Sequence, residues 1–240
     1  MVKTAVILAA GMGSRLGDFA NNQPKGFLDV GGIRLIDRSV DALLSAGIED
    51  IVIGTGFRAI EYDNYAASRP QIRCVRNDAF QGTGSMETLY RLRMAVPGDF
   101  LLLESDLLYD PAGITTLMED PRDNVLLASG PTQSSDEVFI ETDQSGCLVD
   151  MSKHRETLSA VHAELVGITK VSEAFFALMC DLYSKGGTPK ADYESLIVAA
   201  GRREPMHVRI MDDFVWCEID DIHHMERAIG TILPKLQNRG

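Results

Sequence analysis

Thr4-Ala5-Val6-Ile7-Leu8-Ala9-Ala10-Gly11-Met12-Gly13-Ser14-Arg15-Leu16 is the stretch that decides the fold. Its first part, Thr4–Ala10, is short, apolar and closed by Gly11, the pattern of a fully buried strand. A glycine turn follows at once. Glycines let backbone N–H groups turn inward and approach a phosphate closely, and Arg15 adds a bidentate donor. The spacing is not that of a Walker A loop, G-x-x-x-x-G-K-[ST]. Nor is it a dinucleotide fingerprint, because Leu16 stands at the third glycine position. Taken alone, G-x-G-x-R also fits a tight strand-to-helix turn with a surface arginine.

Outward from this stretch the chain keeps alternating. Leu35–Ala46 carries apolar residues at helical spacing and stops at Gly47, a natural helix C-cap. Ile51–Gly54, Ile72–Val75 and Phe100–Glu104 read as buried strands, with a helix over Met86–Met94. Strands alternating with helices predict βαβ units: an α/β, Rossmann-like, mostly parallel sheet flanked by helices. Val125–Ser129, Val138–Thr142 and Cys147–Asp150 are short strands between Ser, Asp and Gly turns. They predict an antiparallel hairpin or lid, inserted over roughly residues 125–165 of a single 1–240 domain and forming the acceptor side. Leu165–Thr169, Val208–Met211 and Val215–Ile219 read as strands. Glu173–Lys185, Tyr193–Ala200 and Ile222–Leu233 read as helices.

Composition narrows the class. The 240 residues suffice for one large α/β domain that folds without disulfide or metal staples. Four scattered cysteines without a C-x-x-C pair argue against a zinc site and point to a reducing, cytoplasmic setting. No apolar run reaches the roughly 18 residues of a membrane span, so no membrane role is expected. The net charge of −12 disfavours nucleic acid as a partner. Anionic small molecules remain compatible where a local pocket and a divalent cation offset the acidic surface.

Ten residues after Arg15, Pro24-Lys25 ends the Gly- and Asn-rich loop Gly17–Gln23, where a lysine can face the glycine turn. L-A-A-G-x-G-S-R-L followed by P-K resembles the signature of the sugar-phosphate and phosphocholine nucleotidyltransferase superfamily. The resemblance implies that the glycine loop binds the triphosphate, through Leu8, Ala10, Gly11, Gly13 and Ser14. It gives Arg15 and Lys25 the catalytic roles.

Further elements fit the same pattern. Leu103-Glu104-Ser105-Asp106 ends an apolar strand at the edge where open α/β sheets bind ligands. Asp106 matches the superfamily's magnesium-binding aspartate, although a turn or N-cap aspartate looks the same. In Trp216-Cys217-Glu218-Ile219-Asp220-Asp221, strand alternation puts Glu218 and Asp220 on one face. Two such carboxylates repel each other unless a cation lies between them, and magnesium takes hard oxygen ligands. W-x-E-I-D resembles the second metal element of the phosphocholine and phosphonate cytidylyltransferase branch. Asp220 is the first choice as ligand and Glu218 the second, with Asp220 or Asp221 also expected to cap the last helix.

The resemblance puts the base-reading position on the segment from Asn77 to Leu89, with Asn77, Gly82 and Ser85 as candidates, and the G-S-x-x-T-L run at 84–89 resembles the phosphocholine branch. A helix N-cap explains Ser85 equally well. On the acceptor side, Lys153 is expected to neutralise phosphoryl oxygens. Glu194, in a Tyr193-Glu194 pair resembling one in related cytidylyltransferases, is expected to pair with an ammonium. Trp216 is expected to hold a choline-like cation over its face. Their plain alternatives are an exposed lysine, a helix-start acid and a core aromatic. The five histidines form no metal spacing.

The resemblance therefore implies a Mg2+-dependent cytidylyltransferase. It would join CMP from CTP to 2-aminoethylphosphonate, a related phosphonate or phosphocholine. Other readings are transfer to a sugar-1-phosphate, use of another NTP, or a catalytically silent nucleotide-binding regulatory domain. A homodimer is compatible with the family.

Overall fold

Thr4–Ala9 forms β1, buried along its whole length, in a computed structural model that describes residues 2–16 and 23–239. A strand without a polar face needs neighbours on both edges and cover on both sides. The next elements supply both. After the small hairpin β2 (Asp29–Val30) and β3 (Ile33–Arg34) come α1 (Leu35–Ser45), β4 (Asp50–Thr55), α2 (Ala59–Ala66), β5 (Ile72–Arg76), α3 (Ser85–Arg91) and β6 (Phe100–Glu104). β1 pairs in parallel with β4 on one edge and β6 on the other, and β4 pairs in parallel with β5.

The chain continues through β7 (Leu107–Tyr109), α4 (Ala112–Glu119), β8 (Val125–Ser129), β9 (Phe139–Thr142), β10 (Leu148–Ser152) and β11 (Ala163–Val171). It closes with α5 (Glu173–Gly186), α6 (Tyr193–Gly201), β12 (His207–Met211), β13 (Trp216–Glu218), α7 (Ile222–Arg227), a π turn over Ala228–Ile232 and α8 (Leu233–Gln237). β11 runs antiparallel between β6 and β8, and β12 adds in parallel outside β8.

Val125–Ser129 therefore departs from its expected place in the inserted hairpin. It is all buried and pairs on both edges inside the central sheet, because its apolar side chains need cover on both faces. The antiparallel insertion narrows to β9 and β10, joined to the sheet where β9 meets the start of β11.

Alternation along β1 splits the core. Val6 and Leu8 pack with Met86, Leu89, Phe175 and Ile197 on the α3, α5 and α6 side. Ala5 and Ile7 pack with Ile36, Leu43 and Tyr62 on the α1 and α2 side. A third cluster, including Leu16, Leu28, Ile219 and Met225, lies beneath the glycine turn and ties it to β13 and α7. Among the described residues, no helix is long and apolar enough to cross a membrane.

Candidate active site

The carboxyl ends of β1 and β6 meet the turn after β1, the edge at which open α/β sheets bind ligands. Leu16 N donates to Gly13 O at 3.0 Å and closes that turn. Gly13 sits at φ +60°, and a Cβ there would meet Lys25 Cγ at 3.0 Å. Glycine thus supplies the left-handed corner and the room for the lysine stem. Lys25 begins a 3-10 turn, Lys25–Phe27, after the extended Pro24. Of the loop Gly17–Gln23 that leads there, residues 17–22 lie outside the described residues.

Lys25 Nζ donates to Asp106 Oδ2 at 2.7 Å and also to Asp220 Oδ1. Burial works against the ammonium, but the Asp106 and Asp220 carboxylates outweigh it and hold Lys25 above the usual lysine range. Arg15 donates from Nη2 to Asp220 and from Nη1 to Asp136 Oδ2 at 2.8 Å. Lys153 Nζ donates to the other oxygen of Asp136, also at 2.8 Å. Asp221 caps α7 by accepting from His224 N at 2.9 Å, which leaves Asp220 to face the cations.

Five carboxylates surround these three cations. Oxygens of Glu104, Asp106 and Glu218 lie within 4.8 Å of one another, as do those of Asp136, Glu218 and Asp220. Burial, then the Asp106 and Glu104 charges, pushes Glu218 up to about 10. Burial, then Glu194 and Asp106, pushes Glu104 well above the usual carboxylate range. Hard oxygen donors this close suit a divalent cation such as magnesium, and either group could hold one: Asp106 belongs to the first, Asp220 to the second and Glu218 to both.

Two pockets adjoin at Glu104 and Glu218, which line both. The first is lined by Leu8, Ala10, Gly11, Lys25, Ser85 and Asp106, and also by Tyr62, Phe80, Thr83 and Thr88. Gly13, Ser14 and Arg15 are not among its lining residues. Asn77 and Gly82 do not line it either. Asn77 is buried, with Nδ2 donating to Thr83 and Thr88 at 3.0 Å each and Oδ1 accepting from Ala79 N at 3.0 Å. With those bonds made, Asn77 shapes the loop from beneath. Gly82 is exposed. Ser85 opens α3 as its first residue rather than its N-cap, and its Oγ accepts from Tyr193 N at 2.9 Å.

The second pocket gathers Lys153, Glu194 and Trp216. Glu194 Oε2 is buried without a hydrogen-bond partner, and burial pushes its carboxyl up to about 7. Trp216 is 8% exposed and spends its indole N–H on Ser129 Oγ at 2.8 Å, so it is core aromatic and pocket wall at once.

Several residues here carry little or no signal in the sequence. Glu104 accepts from Tyr193 Oη at 2.9 Å and stands between the pockets. Gly167, at φ +84°, bulges β11 around it, and a Cβ there would lie 2.7 Å from Glu104 Oε2. Asp136 comes from an unpatterned loop. His224 accepts from Asp220 N at 3.3 Å through Nδ1 and meets Ser134 O at 3.1 Å through Nε2. Only Glu104, two residues before Asp106 in the same short run, offered a handle.

Residues 5–135 match the MobA-like NTP transferase domain. The chain is 25% identical over 245 residues to CMP-5'-(3-aminopropyl)phosphonate synthase of Streptomyces rubellomurinus, covering 96% of this chain and 39% of that protein. It is 30% identical over 105 residues to choline-phosphate cytidylyltransferase of Streptococcus pneumoniae, covering 44% of this chain and 45% of that enzyme. The matches thus span less than half the length of either relative. Among solved structures, the inositol-1-phosphate CTP transferase from T. maritima superposes with a TM-score of 0.82 at 18% identity, over 98% of this chain and 96% of that one. At that identity the likeness speaks for the fold. The sequence match runs through more than half of the chain and across the strands whose ends build the cleft, and on that ground the protein belongs to the MobA-like NTP transferase domain family.

Proposed function

We propose that this chain transfers CMP from CTP to a small phosphonate or phosphate monoester that carries an ammonium group, such as 2-aminoethylphosphonate or phosphocholine, and releases pyrophosphate. The observation that carries the reading is the pairing of the two pockets. One lies against the glycine turn and Lys25, and the other has Lys153 and Glu194, whose buried Oε2 lacks a partner, in its wall. A cation and a carboxyl lining one pocket suit a zwitterion with a phosphoryl group and an ammonium. The names of the two relatives, one an aminopropylphosphonate synthase and one a choline-phosphate enzyme, point the same way.

A phosphate monoester has its second pKa near 6, so its oxygen is largely anionic at neutral pH and needs no general base to attack the α-phosphorus. What remains is in-line positioning and charge neutralisation. In this reading Arg15, which donates to Asp220 beside the first pocket, would take the β- and γ-phosphates, and Lys25, in that pocket's wall, would touch both the α-phosphate and the acceptor oxygen. Thr83, Ser85 and Thr88 would form the polar wall beside a base, with Leu8 and Phe80 as apolar walls. Magnesium, held by Asp106 with Asp220 or Glu218, would neutralise charge on the transferring phosphate.

Pyrophosphate release tests the reading, with CTP, UTP, GTP and ATP crossed against 2-aminoethylphosphonate, phosphocholine, 2-hydroxyethylphosphonate and glucose-1-phosphate. CTP with an ammonium-bearing acceptor is the expected pair. Turnover only with glucose-1-phosphate would overturn the acceptor assignment, and silence throughout would favour a regulatory nucleotide-binding domain.

A further inference from the structure

Asp136 touches two cations that belong to different parts of the cleft. Its Oδ2 accepts from Arg15 Nη1 and its Oδ1 from Lys153 Nζ, both at 2.8 Å. Arg15 comes from the glycine turn after β1, and Lys153 directly follows β10 of the inserted hairpin. One carboxylate therefore bridges a cation of the nucleotide side and a cation of the acceptor side, in the manner of a phosphate spanning both.

The loop that carries Asp136 is held from below. Thr132 donates from N and Oγ1 to Glu164 Oε2, at 2.8 and 2.6 Å, and its carbonyl accepts from Arg227 at 3.0 Å. Ser134 O meets His224 at 3.1 Å, and the same imidazole accepts from Asp220 N. Gln133 and Ser135 both take positive φ, at 55° and 74°, a local conformation that the anchoring contacts on each side over-determine. The loop thus presents Asp136 to Arg15 and Lys153 from a fixed base.

We propose that Asp136 is a positioning residue that stands in for substrate phosphate, aligning Arg15 and Lys153 before ligands bind and giving them up when phosphates arrive. The Asp136 side chain is 17% exposed, whereas those of Arg15 and Lys153 are each 55% exposed. Ion pairs this open to solvent are weak and exchange readily with a multiply charged anion. Glu137, the next residue, also lines the second pocket but accepts locally from Ser135 N and makes no bond to either cation. The general negative potential of the loop is shared by both acids, and the bridge belongs to Asp136 alone.

This inference rests on the proposed phosphate-binding roles of Arg15 and Lys153, and its test is kept apart from turnover. Inorganic pyrophosphate is titrated calorimetrically, in metal-free buffer, into the full chain and into Asp136→Asn, Asp136→Glu and Glu137→Gln. Release of the competing carboxylate is expected to tighten binding to Asp136→Asn about three- to tenfold, as loss of its two exposed ion pairs implies. Glu137→Gln is expected to bind within about twofold of the parent, and Asp136→Glu to restore the parent affinity. Tightening shared equally by Asp136→Asn and Glu137→Gln would show only a general charge effect and would overturn the proposal. Unchanged or weaker binding by Asp136→Asn, or no pyrophosphate binding by any form, would overturn it too. CTP turnover, measured on the same preparations, bears on the proposed reaction independently.

Discussion

Lys25 Nζ lies 2.7 Å from the Asp106 carboxylate at the end of β6, and the same ammonium also reaches Asp220 beyond β13. One cation thus joins the end of β6, the last of the first four parallel strands, to the segment after β13. Its position is secured by Gly13, against which the lysine stem lies. In the proposed reaction Lys25 would contact both the transferring phosphoryl group and its attacking oxygen.

Replacing Lys25 with Ala is expected to lower kcat by about 100-fold or more, the scale of losing one preorganised charge at a reacting centre. The KM for CTP should change far less. Steady-state kinetics check this, and a mutant with parental kcat would remove Lys25 from the chemistry.

Asp220 and Asp221 should separate cleanly. Asp220→Asn removes a cleft carboxylate and is expected to raise the magnesium concentration needed for half-maximal rate and to lower the maximum. Asp221→Ala removes the α7 cap and should cost about 1 kcal/mol of stability while leaving the magnesium dependence in place. Magnesium titrations and thermal melts read the two effects apart.

Glu194 gives a pH signature with a defined sign. Burial raises its carboxyl from about 4.5 to about 7 in the folded protein. Its contribution to stability is therefore full below about 4.5 and is lost as pH rises through about 7. Glu194→Gln should flatten the decline in stability between pH 5 and pH 8 relative to the parent, by up to about 3 kcal/mol. Denaturant melts at the two pH values check it. The same variant should lose preference for an ammonium-bearing acceptor over 2-hydroxyethylphosphonate.

Gly167→Ala places a methyl at φ +84° and within 2.7 Å of Glu104 Oε2. Strain and displacement of Glu104 together should cost about 2 kcal/mol or more. They should also impair turnover, because Glu104 lines both pockets. A stable, fully active variant would contradict the close approach of β11 to that acid.

What the sequence disclosed was local. The strand Thr4–Ala9, its glycine turn, Pro24-Lys25, the run ending at Asp106 and the carboxylates of 216–221 are contiguous patterns, and each implies its own geometry. What it withheld depended on distant partners. Val125–Ser129 looks like any short apolar strand, and only pairing with His207–Met211 and β11 places it inside the sheet. Asp136 meets Arg15 across 121 residues, from a loop with no periodicity. Asn77 falls in the base-reading position by resemblance alone, and its bonds to Thr83, Thr88 and Ala79 emerge only in the folded loop. α2 and α4, at eight residues each, are too short for helical spacing to stand out.

The most direct test of the proposed reaction is phosphorus NMR of the chain incubated with CTP, magnesium and 2-aminoethylphosphonate. The account predicts loss of the CTP signals, growth of pyrophosphate and a new pair of coupled resonances from a CMP–phosphonate anhydride, none of which should form with Lys25→Ala. CTP left intact with this acceptor and with phosphocholine, beside consumption of an NTP with a sugar phosphate, would contradict it.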